Sequence, residues 1–230
     1  MSKFQAEIRD SKDYFRPVSD GKIVRKITKE EYEQRVAVNP QDNVRAREWA
    51  TPKNSGIAYE ETYDAMSGRI VNIAIRDHEQ YGRSIAVTLR QDNGAEGIFT
   101  AGTDNQYGMS LMERLPNIDL EKEVRLSAYV KVTGEKKRYT TFVTQGDDRV
   151  ESFFKKWDDD KKEFVLSNGF PKVDPKDQKK YGDKFWSQRY FPECSVFLVE
   201  YIEEHIIPKV ITTEVVADED LIVVPDDDTF

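Results

Sequence analysis

Residues 83–94 have the sequence RSIAVTLRQDNG, and this stretch decides the fold. Large apolar residues occupy alternate positions in it, namely Ile85, Val87 and Leu89. A period of two predicts a β-strand with one face toward a core. Asn93-Gly94 then predicts a hairpin turn into a further strand, because both residues accept a positive φ.

Four more predicted strands and one helix surround this hairpin. The strands cover residues 59–76, 95–101, 123–133 and 136–145. The first is long and is predicted to bend at Ser67-Gly68, while a change to helical spacing predicts a helix within residues 104–115. Three strands, a helix and two strands is the order of the five-stranded oligonucleotide/oligosaccharide-binding (OB) barrel. We therefore predict a mainly β protein with an OB-fold-like barrel; a small β-sandwich gives a similar pattern.

Additional segments are predicted on both sides of the barrel. The four parts are an N-terminal extension at 1–56 that packs on or borders the barrel, the OB-fold core at 57–146, an insertion and C-terminal helix at 147–211 that complete the same domain, and a disordered acidic tail at 212–230. The extension contains a helix that begins after Thr28 and a loop at 39–55. After the barrel we expect a short helix at 150–157, a charged surface loop at 158–184 and an amphipathic helix at 192–208.

The net charge of −8 is concentrated at the end of the chain. From Thr212 onward there is no basic residue, and the acidic residues are Glu214, Asp218, Glu219, Asp220, Asp226, Asp227 and Asp228. The rest of the chain therefore carries only about one net negative charge. A nearly neutral body can still present a basic surface, so the overall acidity does not argue against nucleic acid.

The composition also excludes several classes of protein. Cys194 is the single cysteine, which excludes an internal disulfide framework and a multi-cysteine zinc site. The N-terminal residues lack an apolar signal core, and no apolar run reaches the roughly 18 residues that a membrane helix needs. We therefore expect a cytoplasmic protein with no membrane partner.

Signals for an enzyme are few. His78 and His205 are the only histidines, and the sequence has no phosphate-binding loop or nucleophile elbow. The acidic run Asp158-Asp159-Asp160 stands beside lysines in a predicted loop, so a solvated turn is favoured over a cation site. We predict a protein that is not an enzyme and that has no metal or cofactor. A magnesium-dependent nuclease is the enzymatic alternative.

Cations and aromatic rings on the outer strand faces are candidate nucleic-acid-binding residues, since cations meet phosphates and exposed rings stack on unpaired bases. Strand parity and the last hairpin select Arg90, Arg125, Tyr129, Lys131, Lys136, Lys137, Arg138 and Tyr139. Tyr129 is the most informative of these, because it lies between two cations on a face where a ring has no core to fill. The alternative for each lysine is an ordinary solvated strand face.

A second basic-aromatic group is predicted near the N-terminus. It consists of Phe15, Arg16, Lys22, Arg25, Lys26, Arg45, Arg47 and Trp49. An exposed Trp49 is costly unless its ring stacks on a ligand, and the alternative is that it plugs one end of the barrel. Phe185, Trp186 and Tyr190 adjoin the C-terminal helix and are predicted to belong to the core.

The end of the chain is a candidate partner-binding site. Asp226, Asp227 and Asp228 precede the terminal Phe230. An aromatic ring at the end of a charged tail is unfavourable unless a partner's pocket receives it. The alternative is a disordered acidic tail that has no partner.

A barrel with a basic-aromatic face, followed by an acidic tail that ends in phenylalanine, resembles the single-stranded DNA-binding proteins. The tail is PDDDTF at residues 225–230, with Thr229 where the bacterial proteins have proline. The long insertion and terminal helix, with YGRSI at 81–85 and LPNI at 115–118, are similar to the bacteriophage members of that class. The resemblance covers about residues 60–145 and the tail.

The resemblance implies that the chain coats single-stranded DNA during phage or bacterial DNA replication, recombination or repair, largely independently of sequence. It also implies a location in the bacterial host cytoplasm, recruitment of replication or recombination proteins by the tail, and competition between the tail and DNA for the basic groove. The main alternative is an acidic OB-fold module that binds another protein and not DNA. RNA in place of DNA stays open, and the sequence does not predict the oligomeric state.

Overall fold

The computed structural model of the chain describes residues 13–50, 55–79 and 82–210. Ten strands form one sheet in it. In chain order they are β1 (Asp13–Pro17), β2 (Ile23–Lys26), β3 (Val44–Ala50), β4 (Ser55–Tyr63), β5 (Met66–His78), β6 (Gly82–Arg90), β7 (Glu96–Gly102), β8 (Glu123–Thr133), β9 (Lys136–Gln145) and β10 (Asp148–Arg149). Their order across the sheet is β10-β9-β8-β5-β6-β7-β1-β2-β4-β3. A separate hairpin pairs β11 (Lys155–Asp158) with β12 (Glu163–Leu166). The chain is therefore mainly β, as predicted.

The strands that follow the alternating pattern are confirmed. In β6 the alternate residues Ile85, Val87 and Leu89 are fully buried, and Gly94 has a φ of 81° in the turn that follows. The bounds of β8 and β9 are those predicted, and β7 lies within one residue of its prediction. One apolar face along a strand was therefore sufficient to locate these elements.

The single long strand predicted over residues 59–76 is wrong, because the chain forms two strands there. β4 pairs with β2 and β3, whereas β5 carries the bend. Residues 66–69 of β5 pair with β8, and residues 69–78 pair with β6. Gly68 lies at the bend, where a Cβ atom would come 2.8 Å from the carbonyl oxygen of Arg90. A glycine is needed there because the two backbones approach so closely.

The sheet is open, so the predicted closed barrel is not confirmed. No pair joins β7 to β9 within the described residues; instead β7 pairs in parallel with β1. The edge of β9 is covered by the helix α2 (Gln106–Met112). The N–H of Tyr139 donates to Gln106 Oε1 at 2.7 Å, and the N–H of Thr141 donates to Ser110 Oγ at 2.8 Å. These edge groups are satisfied without a further strand.

Three helices agree with their predictions. In α1 (Lys29–Val38), Thr28 Oγ1 accepts the N–H of Glu31 at 3.1 Å and caps the helix. α2 follows β7, and α4 (Phe191–His205) packs on the sheet with Leu198 and Ile202 fully buried. A short helix, α3 (Pro175–Tyr181), lies in the predicted surface loop. Phe185 and Tyr190 are core residues as expected, but Trp186 is 43% exposed, so its assignment to the core was wrong.

Two segments were assigned to the wrong element. The predicted loop at 39–55 contains β3, and the predicted helix at 150–157 overlaps β11. Neither strand has an apolar face, which is why periodicity failed to find them. Within the described residues, no helix is long and apolar enough to span a bilayer.

Candidate functional site

The outer face of the β8–β9 hairpin carries an exposed tyrosine beside a half-buried phenylalanine, among cations. We call this face the β8–β9 surface; its residues are Arg125, Tyr129, Lys131, Lys136, Arg138 and Phe142. Residues that are directly opposite in neighbouring strands share a face, and Lys131 is opposite Arg138. Tyr129 is 47% exposed, and its ring centroid lies 5.2 Å from that of Phe142.

The aromatic pair is supported by an arginine from the neighbouring strand. The Arg149 guanidinium lies 4.4 Å from the ring centroid of Phe142, which is a cation–π distance. Arg149 also pairs with Glu151 at 3.4 Å. Contacts with Arg149 and Tyr129 restrict the ring of Phe142, and the exposed ring of Tyr129 packs against it.

The four cations near the tip of this hairpin share one property. Lys131, Lys136, Lys137 and Arg138 are exposed, and within the part of the chain that the structure describes none has a carboxylate at ion-pair distance. Arg125 is half-buried.

Lys137 is opposite Val132 and so belongs to the other face, as does Tyr139, whose ring lies 5.4 Å from that of Tyr107. Of the eight residues predicted here, four therefore share the β8–β9 surface, namely Arg125, Tyr129, Lys131 and Arg138, and Lys136 joins them at its tip.

A groove of about 520 Å³ lies on the outer face of β1, β5, β6 and β7. We call it the Arg76 groove; its rim includes Tyr14, Arg16, Arg76 and His78, and its floor includes Ser84 and Thr100. Arg76 Nη1 donates to Tyr14 Oη at 3.3 Å, and its guanidinium is 5.7 Å from the centre of that ring. The lining residues, all of them described, include no carboxylate.

Sequence reasoning missed most of this groove. Arg76 shares the outer face of β5 with Asn72 and Ala74, so the alternation of side chains along this strand could have identified it. Tyr14 is adjacent to Phe15, which was selected in its place. Phe15 is fully buried and cannot contact a ligand, so its assignment as a nucleic-acid-binding residue was wrong. β1 places Tyr14 outward and Phe15 inward, and choosing between them requires the strand register.

The Arg76 groove and the β8–β9 surface are neighbours. The turn between β1 and β2 joins them, because Pro17 lines the groove and a Cβ atom on Gly21 would lie 3.2 Å from the backbone nitrogen of Val130. Gly21 has a φ of 79°, which a residue with a side chain adopts at a cost. Tyr107 Oη donates to the carbonyl oxygen of Val18 at 2.8 Å and fixes this turn.

The N-terminal arginines have a different environment. Glu60, only 1% exposed, pairs with Arg16 at 2.8 Å, with Arg45 at 3.0 Å and with Arg47 at 2.9 Å. Burial acts to raise the pKa of Glu60, but hydrogen bonds from Arg47 and Arg45 outweigh it and hold the pKa below the usual range. Glu60 is therefore ionised, and three predicted ligand-binding arginines are its partners.

Glu61 organises a second set of ion pairs beside the first. It is 2% exposed and pairs with Arg25 at 2.6 Å and with Arg35 at 2.8 Å. Burial acts to raise its pKa, and hydrogen bonds from Tyr63, Arg25 and Arg35 lower it overall. We call the two sets together the arginine–glutamate network, which consists of Arg16, Arg25, Arg35, Arg45 and Arg47 with Glu60 and Glu61.

The other predicted site residues are dispersed. Lys22 pairs with Asp64 at 2.5 Å, and Arg90 pairs with Glu96 at 2.7 Å. Lys26 is exposed.

Trp49 is 39% exposed and lies across Gly56 of β4, where a Cβ atom would come 3.0 Å from the indole. Trp49 therefore covers a strand and does not plug a barrel end.

The described residues contain no group of three or more His, Cys, Asp or Glu side chains that could hold a metal ion. Cys194 is buried, which raises the pKa of its thiol to about 11, and His205 lies against Tyr201 with 4.5 Å between the ring centroids. The predicted partner-binding residues Asp226, Asp227, Asp228 and Phe230 lie outside the described residues.

Comparison of the chain with protein-family models, with curated proteins and with solved structures found no match. The fold and the site together define a mainly β protein that exposes a basic-aromatic surface. Its function is inferred from that geometry.

Proposed function

We propose that the protein binds and protects single-stranded DNA, largely independently of sequence, during phage or bacterial DNA replication, recombination or repair. The observation that carries the proposal is the exposed ring of Tyr129, which packs against the half-buried Phe142 and lies among Lys131, Lys136 and Arg138. A ring of this kind offers a face to any unpaired base, and base stacking contributes about 1–3 kcal/mol per base. Neighbouring cations without carboxylate partners are available to phosphates.

The Arg76 groove extends the same proposal. It is next to the β8–β9 surface, it is lined by Tyr14, Arg76 and His78, and its lining lacks carboxylates. Single strands are bound by grooves that combine cations with stacking platforms. We infer that the bound single-stranded DNA runs from the Arg76 groove, across the turn between β1 and β2, to Tyr129.

The central strand order supports an OB-type body. The order β9-β8-β5-β6-β7 places the long, bent β5 between β6 and β8. If β5 is counted as the first strand of a five-stranded barrel, these are its second and fourth strands, which are the neighbours of the first strand in that barrel. We infer that the body is an opened form of this barrel. Closure of the barrel would pair β7 with β9, but here β1 covers the edge of β7 and α2 covers the edge of β9.

The tail has two proposed roles in the cytoplasm of a bacterial host. Asp226, Asp227, Asp228 and Phe230 recruit replication or recombination proteins, and the acidic residues compete with DNA for the basic surface. Deletion of residues 212–230 is therefore expected to tighten binding to oligo-dT at low salt. Measurement of both proteins by anisotropy checks this, and equal affinities would contradict the competition.

The main test is a titration of labelled oligo-dT, oligo-dA and oligo-U with the full chain at several salt concentrations. We expect similar affinities for the DNA sequences and a steep loss of affinity with salt. Absence of binding in both the full and the tail-deleted chain would instead favour a protein-binding module. Tighter binding of oligo-U would assign RNA, and magnesium-dependent loss of the oligonucleotide would assign a nuclease.

A further inference from the structure

A lysine-rich surface surrounds the short helix α3, and none of its residues belongs to the β8–β9 surface or to the Arg76 groove. Lys176, Lys179 and Lys180 are exposed and lie at positions i, i+3 and i+4, so they share one face of the helix. Lys184 follows in the next turn and is also exposed. In the part of the chain that the structure describes, none of these four lysines has a carboxylate at ion-pair distance. Their charges are therefore available to a partner.

The helix α3 has a fixed position beside the beginning of α4. Asp177 of α3 pairs with Arg189 at 2.9 Å. Tyr190 is buried, and its Oη donates to the carbonyl oxygen of Pro171 at 3.0 Å. These contacts connect the segments on both sides of α3 to the residues that lead into α4. The lysines and the residues before α4 therefore form one surface.

Two exposed aromatic rings adjoin the lysines. Trp186 and Phe191 are each 43% exposed, and their ring centroids are 6.1 Å apart. The ring of Trp186 also packs edge-on against Tyr190 at 5.3 Å. Exposed rings that adjoin each other are typical of contact surfaces. We call this region the α3 surface; its residues are Lys176, Lys179, Lys180, Lys184, Trp186 and Phe191.

The α3 surface stays positive when all of its acidic neighbours are counted. Residues 172–193 contain six cations and four carboxylates, which gives a net charge of +2. Asp177 and Glu193 both pair with Arg189, at 2.9 and 3.5 Å. Asp174 Oδ1 accepts the N–H of Lys176 at 2.7 Å and caps α3. Three of the four carboxylates therefore have local partners other than the lysine side chains.

The complementary segment of this chain is the last part of its tail. Asp226, Asp227 and Asp228 are three consecutive carboxylates, and Phe230 follows two residues later. A cationic surface with exposed rings binds an acidic segment that carries a ring, because charges of opposite sign attract and aromatic rings pack against each other.

The tail is long enough to return to the α3 surface of its own chain. The 15 residues of α4 cover about 22 Å, which separates that surface from the start of the tail. The 15 residues from 211 to 225 span up to about 50 Å when fully extended. A segment tethered to the same chain has an effective concentration on the order of a millimolar. This gives the tail an advantage over dissolved DNA and over a second copy.

We propose that the tail segment 226–230 docks on the α3 surface of the same chain. Its three aspartates contact the lysines, and the ring of Phe230 packs against the two exposed rings. The contact itself does not depend on DNA binding. A docked segment is withheld from DNA competition and from protein partners, and this consequence rests on the proposed function.

Quenching of a fluorophore on the tail tests the contact in the full chain without DNA. A bimane group on Thr229→Cys is quenched by contact with an indole ring. Cys194 is buried, which raises the pKa of its thiol to about 11, so the label selects the new cysteine. We expect quenching that does not change with protein concentration and that is lost at about 1 M salt. Trp186→Phe should abolish it, whereas Trp49→Phe and Trp157→Phe, at rings of similar exposure, should leave it unchanged.

Charge variants of the labelled chain test the two halves of the contact. They are K176Q/K179Q/K180Q on α3, D226N/D227N/D228N on the tail and, as a matched control, K131Q/K136Q/K137Q on the β8–β9 hairpin. The first two are each expected to lower the ratio of docked to free tail about tenfold, because three exposed ion pairs are lost. The control should leave the ratio unchanged. All the altered lysines are exposed, so the variants are expected to fold.

Several outcomes would overturn the proposal. One is the absence of quenching at low salt, and another is quenching that Trp186→Phe does not change. An equal loss in the α3 variant and in the control would remove the assignment to α3. Quenching that falls on dilution would assign the contact to two copies of the chain. Absence of oligo-dT binding with the quenching intact would contradict the proposed function and leave the docking in place.

Discussion

The arginine–glutamate network and the β8–β9 surface are both rich in cations, and they use the cations differently. In the network each arginine pairs with Glu60 or Glu61, which are almost completely buried. On the β8–β9 surface, Lys131, Lys136 and Arg138 have no such partner among the described residues. The position of the counter-charge, and not the number of cations, therefore distinguishes a structural region from a candidate binding surface.

The residue types fit the two roles. Guanidinium groups donate several hydrogen bonds in a fixed plane, so several arginines can share one buried carboxylate. Lysine ammonium groups are well hydrated and flexible, which suits contacts with phosphates of variable position. The network contributes to the stability of β2, β3 and β4, and the β8–β9 surface is free to contribute to binding.

Removal of Glu60 is expected to have the largest effect. Glu60→Ala leaves three arginines without their partner and should lower the free energy of unfolding by about 2–4 kcal/mol. This is somewhat less than the cost of breaking a fully buried ion pair, because the arginines are partly exposed. Urea unfolding followed by circular dichroism measures this. Glu96→Ala, which removes a surface pair with Arg90, is the control and should cost at most about 1 kcal/mol. A similar loss in both variants would contradict the distinction.

Acidification should weaken the network without any mutation. The pKa values of Glu60 and Glu61 are lowered in the folded chain, so their contribution to stability is complete above the unfolded-state pKa and is lost as the pH falls through the folded values. Urea midpoints are therefore expected to decrease below about pH 4.5. Glu60→Gln should show a shallower decrease, and an equal slope in both proteins would argue against Glu60 as a source of the acid sensitivity.

Loss of the exposed ring should affect binding and not folding. Tyr129→Ala is expected to weaken oligo-dT binding by about 1–3 kcal/mol, the contribution of one stacked base. Tyr129→Phe keeps the ring and should bind nearly as well as the original chain. Trp49→Ala, which removes a partly exposed ring beside the network, is the matched control. Anisotropy titrations distinguish the two regions, and equal losses for Tyr129→Ala and Trp49→Ala would remove the basis for assigning the site to β8–β9.

Single cations should give the smallest effects. Lys131→Gln and Arg138→Gln are each expected to reduce the salt slope of oligo-dT affinity by about one. Arg47→Gln, within the network, should leave the slope unchanged because that side chain is already paired with Glu60. If all three variants change the salt slope equally, the arginine–glutamate network also contacts the DNA.

Much of the fold could be predicted from periodicity. The strands β6 to β9 and the helices α1, α2 and α4 each have an apolar face or a capping residue, and both signals are local. β3 could not be found this way, because Arg45 and Arg47 on one of its faces are satisfied by Glu60 on the neighbouring strand. The open sheet was also beyond local signals, since the edge of β7 is filled by β1 from far along the chain.

The candidate site could be predicted in part. Strand parity located Tyr129 with Lys131 and Arg138, because β8 and β9 have regular registers. Phe15 was selected from composition without a predicted strand, and the choice was wrong by one residue, because only the pairing of β1 reveals which aromatic residue faces the core. Two adjacent glutamates in β4 gave no sign that both would be buried, because their ion pairs involve four other segments of the chain.

The parallel pairing of β1 with β7 sets an order for biosynthesis. Phe15 belongs to the core, yet the strand that holds it in place, ending near Phe99, leaves the ribosome much later. Contacts between residues so distant in sequence form slowly, since a long loop must close first. One edge of β1 can pair with β2 as soon as β2 is made, but the edge that faces β7 must stay unpaired while β3 to β6 are made. The Phe15 ring is then a surface that a ribosome-associated chaperone could shield during that interval.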